Sequence, residues 1–205
     1  MLAMVALLVG ASIWLGHADE RMLSVPYRSQ LDGTPYASAN CGPTALSMVL
    51  AYYGIDASPW DARVRSMKAQ HSWVDDDGGY SDRYGVFVYN LASAGESFGL
   101  RADGLWLREG NHVDRLRSWH AGDLRKEIDS GRPVIVQVLY RALPGNDRSR
   151  FDDDHYVVVH GLVGSDFVYS DPLDGPEHLV SENDLLYAMN AASSPGVGFA
   201  LVKSP

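Results

Sequence analysis

The chain has 205 residues, of which 46% are hydrophobic and 21% are charged. Those proportions are ordinary for a globular protein, and the length suits one domain with a substantial core. The 17 Lys and Arg residues against 26 Asp and Glu residues give a formal net charge of −9. This charge argues against nucleic-acid or anionic-membrane partners, because both require basic protein surfaces.

The first residues differ from the rest of the chain. Residues 2–15 carry no charged side chain, and the first charge is Asp19. The run is shorter than the about 20 residues of a membrane span, but it suits the apolar core of a signal peptide that ends at Ala18. No Lys or Arg precedes the run, so a retained N-terminal anchor is the alternative. We expect residues 1–18 to direct export or to anchor the chain in the cell envelope, with any membrane association confined to them.

A strand and a helix are predicted next. Residues 23–27 predict a short strand, followed by a loop that contains Gln30. The helix that begins near Cys41 has Pro43 in its first turn, where the missing N–H costs nothing. Gly54 is a favourable residue just past the end of this helix.

The rest of the chain alternates between helix and strand patterns. Capping residues and apolar spacing predict helices over 58–70, 86–97, 123–130 and 181–189. Apolar and β-branched runs predict strands over 105–107, 134–139, 155–161, 167–170 and 197–202. Polar loops are expected over 71–84 and 142–154. Helices come first and antiparallel strands dominate the second half, which predicts an α+β fold.

Cys41 is the only cysteine of the chain, so no internal disulfide can form. It lies at the head of the predicted helix, where free backbone N–H groups and the positive end of the helix dipole favour an anion. The thiolate is the nucleophilic form of cysteine, so this position suits a nucleophile. A small buried hydrophobic side chain is the alternative for a lone cysteine.

A cysteine nucleophile needs a base, and the base needs a group that orients it. His155 opens one predicted strand, and Asp171 ends the next strand, directly before Pro172. His160 is a rival base, because a tight hairpin in strict register sets His160, not His155, opposite Asp171. A bulge or a wider loop is needed to bring Asp171 to His155.

A series of motifs along the chain carries a family resemblance. They are VPYRSQ at 25–30, Tyr36, NCGPTAL at 40–46, GRPVIV at 131–136, HYVVV at 155–159 and SDP at 170–172. In this order they resemble the papain-like cysteine peptidases related to the bacteriocin-leader-processing, or double-glycine, peptidases. The resemblance covers about residues 25–202 and suggests a stand-alone form of that family.

The resemblance implies a papain-like fold in which the Cys41 helix packs on a C-terminal antiparallel sheet, with a peptidase-like domain over residues 23–203. It implies that Cys41 is the nucleophile, that His155 is the base and that Asp171 orients the base. Relatives commonly cleave after paired small residues such as Gly-Gly and are often fused to a transporter. Because a chain of 205 residues has no room for a transporter, we do not expect the substrate of those relatives to carry over.

Gln30 precedes the cysteine motif and matches the family's oxyanion-hole glutamine. By resemblance, its side-chain amide would donate to the developing oxyanion beside the backbone N–H of Cys41. A solvated loop residue is the alternative for Gln30.

The main hypothesis is an exported cysteine peptidase that acts on a peptide or protein through a thioester on Cys41, without a metal or organic cofactor. A transpeptidase or acyltransferase with the same triad is an alternative, because the thioester does not dictate its acceptor. A non-catalytic peptide-binding module is another. The acidic runs at 75–77 and 152–154 lack the spacing of metal ligands. The oligomeric state is left open.

Overall fold

The structure is a computed structural model that describes residues 20–70, 85–109 and 112–203. The predicted signal or anchor segment at 1–18 lies outside the described residues, as does the predicted polar loop at 71–84. Within the described ranges, no helix is both long enough and apolar enough to cross a membrane.

The described part of the chain contains helices and strands in the α+β order that the sequence predicts. The α-helices are α1 (Cys41–Tyr52), α2 (Pro59–Gln70), α3 (Val88–Ser97), α4 (Ala121–Asp129) and α5 (Glu182–Asn190). The strands are β1 (Glu20–Met22), β2 (Leu100–Asp103), β3 (Trp106–Glu109), β4 (His112–Leu116), β5 (Val134–Leu139), β6 (Asp154–Val163), β7 (Asp166–Asp171), β8 (Gly175–Val180) and β9 (Gly198–Lys203). Short 3₁₀ helices cover Ala37–Ala39 and Tyr140–Ala142.

One antiparallel sheet organises the fold. Its strand order is β2-β9-β5-β6-β7-β8, and β1 also pairs with β6. The strands β3 and β4 form a separate hairpin. β6 lies in the middle of the sheet and is its longest strand, at 10 residues. The sheet therefore brings the start of β6 and the end of β7 to the same region.

Helices cover both faces of the sheet. One apolar core joins α1, α2 and α3 to Ile135, Val158 and Phe199 on one face. The other joins α4 and α5 to Val157 and Phe167 on the opposite face. The burial of alternate strand residues in opposite cores follows from the twofold periodicity of a strand.

Helix α1 is packed into the first core along most of its length. Its residues from Cys41 to Leu50 are all buried. At its first turn, Gly42 leaves no room for a side chain, since a Cβ atom there would lie 2.7 Å from Leu91 Cδ1 and 3.1 Å from Tyr156 Cδ2. This close approach fixes the first turn of α1 against α3 and β6.

Several capping predictions are confirmed. Gly54 follows α1 with a φ of 80°, the left-handed conformation that glycine adopts easily. Ser58 and Asp61 form a capping box at the start of α2. The Ser181 hydroxyl accepts from the backbone N–H of Asp184 at the start of α5.

Some strand predictions are wrong or missing. The strand predicted over 23–27 lies earlier, at Glu20–Met22. The last hydrogen bond that joins this segment to β6 runs from Leu23 N to His160 O. Pro26 has no N–H with which the pairing could continue. The sequence patterns do not predict the strands β2, β4 and β8. β8 contains Gly175 and Pro176, which argue against a central strand but are tolerated at a sheet edge.

We predict that Gly54→Ala lowers the free energy of unfolding by about 1 kcal/mol, because alanine is strained at positive φ. Gly122→Ala is the matched control: it lies in α4, and a Cβ atom added at either glycine would meet no other atom within 4 Å. Alanine is the better helix former, so the control should gain up to about 1 kcal/mol. Urea unfolding followed by circular dichroism measures both, and equal shifts would contradict the account.

Candidate active site

Cys41 is the first residue of α1 and is 7% exposed. The first N–H groups of a helix have no acceptor within it, so they point to the space in front of Cys41. Gly42 and Pro43 follow it in the first turn. Gly42 has no side chain, and Pro43 has no backbone N–H. The sulfur therefore lies at the positive end of a buried helix.

His155 and Asp171 form a buried pair on neighbouring strands. His155 Nε2 and Asp171 Oδ1 are 2.7 Å apart, and the two side chains are 0% and 1% exposed. Asp171 Oδ1 also accepts from the backbone N–H of Leu173 at 2.8 Å. The carboxylate is therefore held by a backbone donor while it binds the imidazole.

A β-bulge makes this pairing possible. Val159 pairs with Tyr169, but Gly161 pairs with Val168, so His160 is an extra residue on β6. Side chains alternate between the two faces of a strand, and a bulge shifts the pairing by one residue. Beyond the bulge, residues of β7 therefore share a face with a different set of β6 residues. It puts Asp171 on the face of His155 instead of the face of Tyr156 and Val158. The strict hairpin register that set His160 opposite Asp171 is wrong for two reasons. The turn lies one residue earlier, because Val163 pairs with Asp166, and the bulge then shifts the pairing by one more residue.

His160 has other partners. Its Nε2 lies 3.0 Å from Ser170 Oγ, and that hydroxyl donates to the backbone oxygen of Pro176. Because the hydroxyl proton is used, His160 Nε2–H must donate to Ser170. Burial lowers the pKa of His160. His160 is thus held as a neutral side chain, hydrogen-bonded to Ser170.

The imidazole of His155 is bound on several sides. Its ring lies edge-to-face with Tyr140 and Phe151, at centroid distances of 5.2 and 5.9 Å. Burial lowers the pKa of His155, but hydrogen bonds with Asp171 and Cys41 outweigh it, and the pKa is raised to about 10. Nδ1 has no hydrogen-bond partner of standard geometry among the described residues. Since Asp171 occupies Nε2, Cys41 acts on the Nδ1 side of the ring.

Gln30 is buried, with 2% exposure, and is not the solvated loop residue of the alternative interpretation. Its Nε2 donates to the backbone oxygen of Ala37 at 2.9 Å, four residues before Cys41. Its backbone N–H donates to Pro172 O at 2.8 Å, next to Asp171. Gln30 therefore links the segment before the cysteine to the end of β7.

A cavity of about 460 Å³ opens beside Cys41. Its described lining comes from the segment before α1, the start of α3, β5, the start of β6 and the turn after α5. Phe151 lines the cavity and also contacts the His155 ring. Within the described ranges, no group of three or more His, Cys, Asp or Glu side chains is placed to hold a metal ion.

A helix-borne cysteine beside a buried His–Asp pair, on an α+β fold, defines a cysteine-peptidase-like protein. The model of the Peptidase_C39 like family matches residues 22–188. The chain belongs to this family and is therefore a cysteine-type peptidase by class. Comparison with curated proteins gives no significant match.

Solved structures agree on the fold. A C39-like peptidase from Bacillus anthracis is 21% identical with a TM-score of 0.59, covering 91% of this chain and 98% of that one. A double glycine motif protease from an AMS/PCAT transporter, in complex with the leader peptide, is 20% identical with a TM-score of 0.55, covering 90% and 95%. The peptidase domain of Streptococcus ComA, a bifunctional ABC transporter of a quorum-sensing pathway, is 20% identical with a TM-score of 0.54, covering 86% and 97%.

The sequence reasoning missed the residues that surround the predicted set. Phe151, which contacts the imidazole, lies in the loop predicted over 142–154, and Tyr140 lies between that loop and the strand predicted over 134–139. Gln137 is a single polar residue in an apolar strand, and that break in the pattern is the signal that could have identified it.

We predict that His155 stays protonated from pH 6 to about pH 9, whereas a free histidine has a pKa of about 6.5. Since its folded pKa is the higher one, its contribution to stability is fully present below about pH 6.5 and is lost as the pH rises through about 10. Asp171→Asn removes a raising interaction and should lower the pKa. Imidazole NMR signals measure both, and a wild-type titration near pH 6.5 would contradict the account.

Proposed function

We propose that this chain is an exported peptidase that hydrolyses peptide bonds with Cys41, His155 and Asp171. The observation that carries the proposal is the buried 2.7 Å hydrogen bond between His155 and Asp171 beside the helix that begins at Cys41. Family membership supports the reaction class. A similar structure that contains a leader peptide supports a peptide as the substrate.

In the proposed reaction, the Cys41 thiolate attacks the carbonyl carbon of the scissile peptide bond. His155, protonated in the resting pair, gives its proton to the leaving amine as the C–N bond breaks. The product is a thioester on Cys41. His155 then takes a proton from water, the hydroxide attacks the thioester carbon, and the acid is released from the sulfur.

Asp171 acts on the imidazole and not on the substrate. Its carboxylate accepts the Nε2–H of His155, which directs Nδ1 to the sulfur and stabilises the imidazolium. The backbone N–H of Leu173 keeps the carboxylate in this orientation. Asp171 is thus a positioning residue for the base.

Gln30 has the donors that an oxyanion requires. One N–H of its side-chain amide is used by Ala37 O, and an amide nitrogen carries two. We assign the second N–H, together with the backbone N–H of Cys41, to the oxyanion of the tetrahedral intermediate. Gln30→Ala should therefore lower kcat more than it changes KM.

The role of His155 predicts a large difference between two histidine variants. His155→Ala should lower kcat/KM for a cleaved peptide by roughly 10²–10⁴-fold, the usual contribution of a general base. His160→Asn keeps a side chain that can donate to Ser170 and should leave kcat/KM within about threefold. Circular dichroism controls for folding. A larger loss in His160→Asn than in His155→Ala would assign the base to His160.

Cys41→Ala is expected to abolish cleavage, and full activity in that variant would end the proposal. Assays repeated with an added amine acceptor separate hydrolysis from transfer by the mass of the product. A transpeptidase would give the amide, whereas a hydrolase gives the free acid.

We also propose that residues 1–18 direct export. Their apolar character from 2 to 15 and the small residues before Asp19 support this. In a bacterial host, the full chain should be recovered outside the cytoplasm, with an N-terminus at Asp19 if the segment is cleaved. Recovery in the cytoplasm with residues 1–18 intact would contradict the proposal.

A further inference from the structure

The cavity beside Cys41 is larger than a glycine residue next to the cleaved bond would require, because glycine has no side chain to fill it. Its about 460 Å³ lies within the roughly 300–1,000 Å³ of ligand pockets. Cys41 and Phe151 both line it, so it adjoins the proposed nucleophile and the ring that contacts His155. A substrate glycine would leave this volume unfilled, whereas a long side chain would occupy it.

Gln137 gives the cavity a buried hydrogen-bond acceptor. The side chain lines the cavity from β5 and is 6% exposed. Its Nε2 donates to Asp154 Oδ2 at 2.7 Å, and its Oε1 has no partner among the described residues. A carboxylate accepts but does not donate, so the Gln137 amide group must face Asp154 and its oxygen must face away. A ligand N–H that reached this oxygen would satisfy it.

The charged side chains in the described lining of the cavity are all acidic. Asp153 and Asp154 line it, and its described lining includes no Lys, Arg or His. Asp154 accepts from the backbone and the hydroxyl of Ser193 as well as from Gln137. Asp153 is exposed, and none of the ion pairs among the described residues includes it. The neighbouring Asp152, by contrast, pairs with Arg141 at 3.0 Å and does not line this cavity.

We propose that this cavity binds a long basic side chain of the peptide substrate, arginine above all, close to the scissile bond. The inference rests on the proposed function and adds its specificity. Arginine carries five donors and no acceptor, which suits Gln137 Oε1 and the Asp153 carboxylate. The aromatic walls at Tyr89, Phe151 and Tyr156 suit its planar guanidinium better than the compact ammonium of lysine.

The experiment begins with a peptide library in which each position around the cleaved bond is varied. We expect arginine to be enriched at one position. Two peptides that differ only in arginine or citrulline at that position then isolate the charge, because citrulline is a neutral analogue of similar shape. Charge-assisted hydrogen bonds are stronger than neutral ones, so kcat/KM should favour arginine by about tenfold or more.

Variants at two adjacent acidic residues locate the effect. Asp153→Asn should reduce the arginine preference to about threefold or less, and Asp153→Lys should abolish it. Asp152→Asn is the matched control and should keep the wild-type preference, because Asp152 is paired with Arg141 outside the cavity. Equal arginine and citrulline rates in the wild type, or equal effects of the two asparagine variants, would overturn the inference.

A binding measurement separates failure of the inference from failure of the proposed function. Calorimetry with Cys41→Ala compares the same two peptides without turnover. If no peptide is cleaved but arginine still binds more tightly than citrulline, the proposed function fails and the assignment of a pocket for a basic side chain stands. If peptides are cleaved and neither assay distinguishes arginine from citrulline, the pocket assignment is wrong and the proposed function stands.

Discussion

The hydrogen bond between His155 and Asp171 is the interaction on which the site depends. It joins two side chains that are almost wholly buried, and a buried imidazole and carboxylate are costly unless they are paired. The pair therefore determines the charge of the imidazole, and with it the state of the group beside the Cys41 sulfur. The bulge at His160 is the structural condition for the pair, because regular pairing would put Asp171 on the other face of the sheet.

The site is built where two distant parts of the chain meet. Cys41 comes from a helix that is buried along most of its length, and His155 and Asp171 come from central strands. Gln30 connects these parts through hydrogen bonds to Ala37 O and Pro172 O. The relative position of sulfur and imidazole is thus set by packing in the core and by backbone hydrogen bonds, and not by surface contacts.

Much of this arrangement could be predicted from the sequence, and the failures have physical reasons. The ends of α1 could be predicted because Pro43 and Gly54 act through local backbone preferences. The register of β6 and β7 could not be predicted, because the extra residue His160 after a run of valines leaves no sequence signal but moves every later side chain to the other face. Choosing His155 over His160 relied on family resemblance, and the bulge supplies the structural reason for pairing His155 with Asp171.

Family membership and pocket chemistry carry different information about this chain. Membership gives the reaction class, and relatives at 20–21% identity share the fold. The cavity carries chemical information of its own, because Gln137, Asp153 and Asp154 give it several hydrogen-bond acceptors. A fold can keep its reacting groups while its neighbouring pocket takes a different substrate side chain.

The rate at which iodoacetamide alkylates Cys41 tests the central claim most directly, because only the thiolate reacts and Cys41 is the only cysteine. At pH 5.5, the wild type should react much faster than a simple free thiol, and Asp171→Asn should react more slowly than the wild type at that pH. Wild-type alkylation no faster than that of the free thiol, with no effect of Asp171→Asn, would contradict a buried His–Asp pair that activates the sulfur.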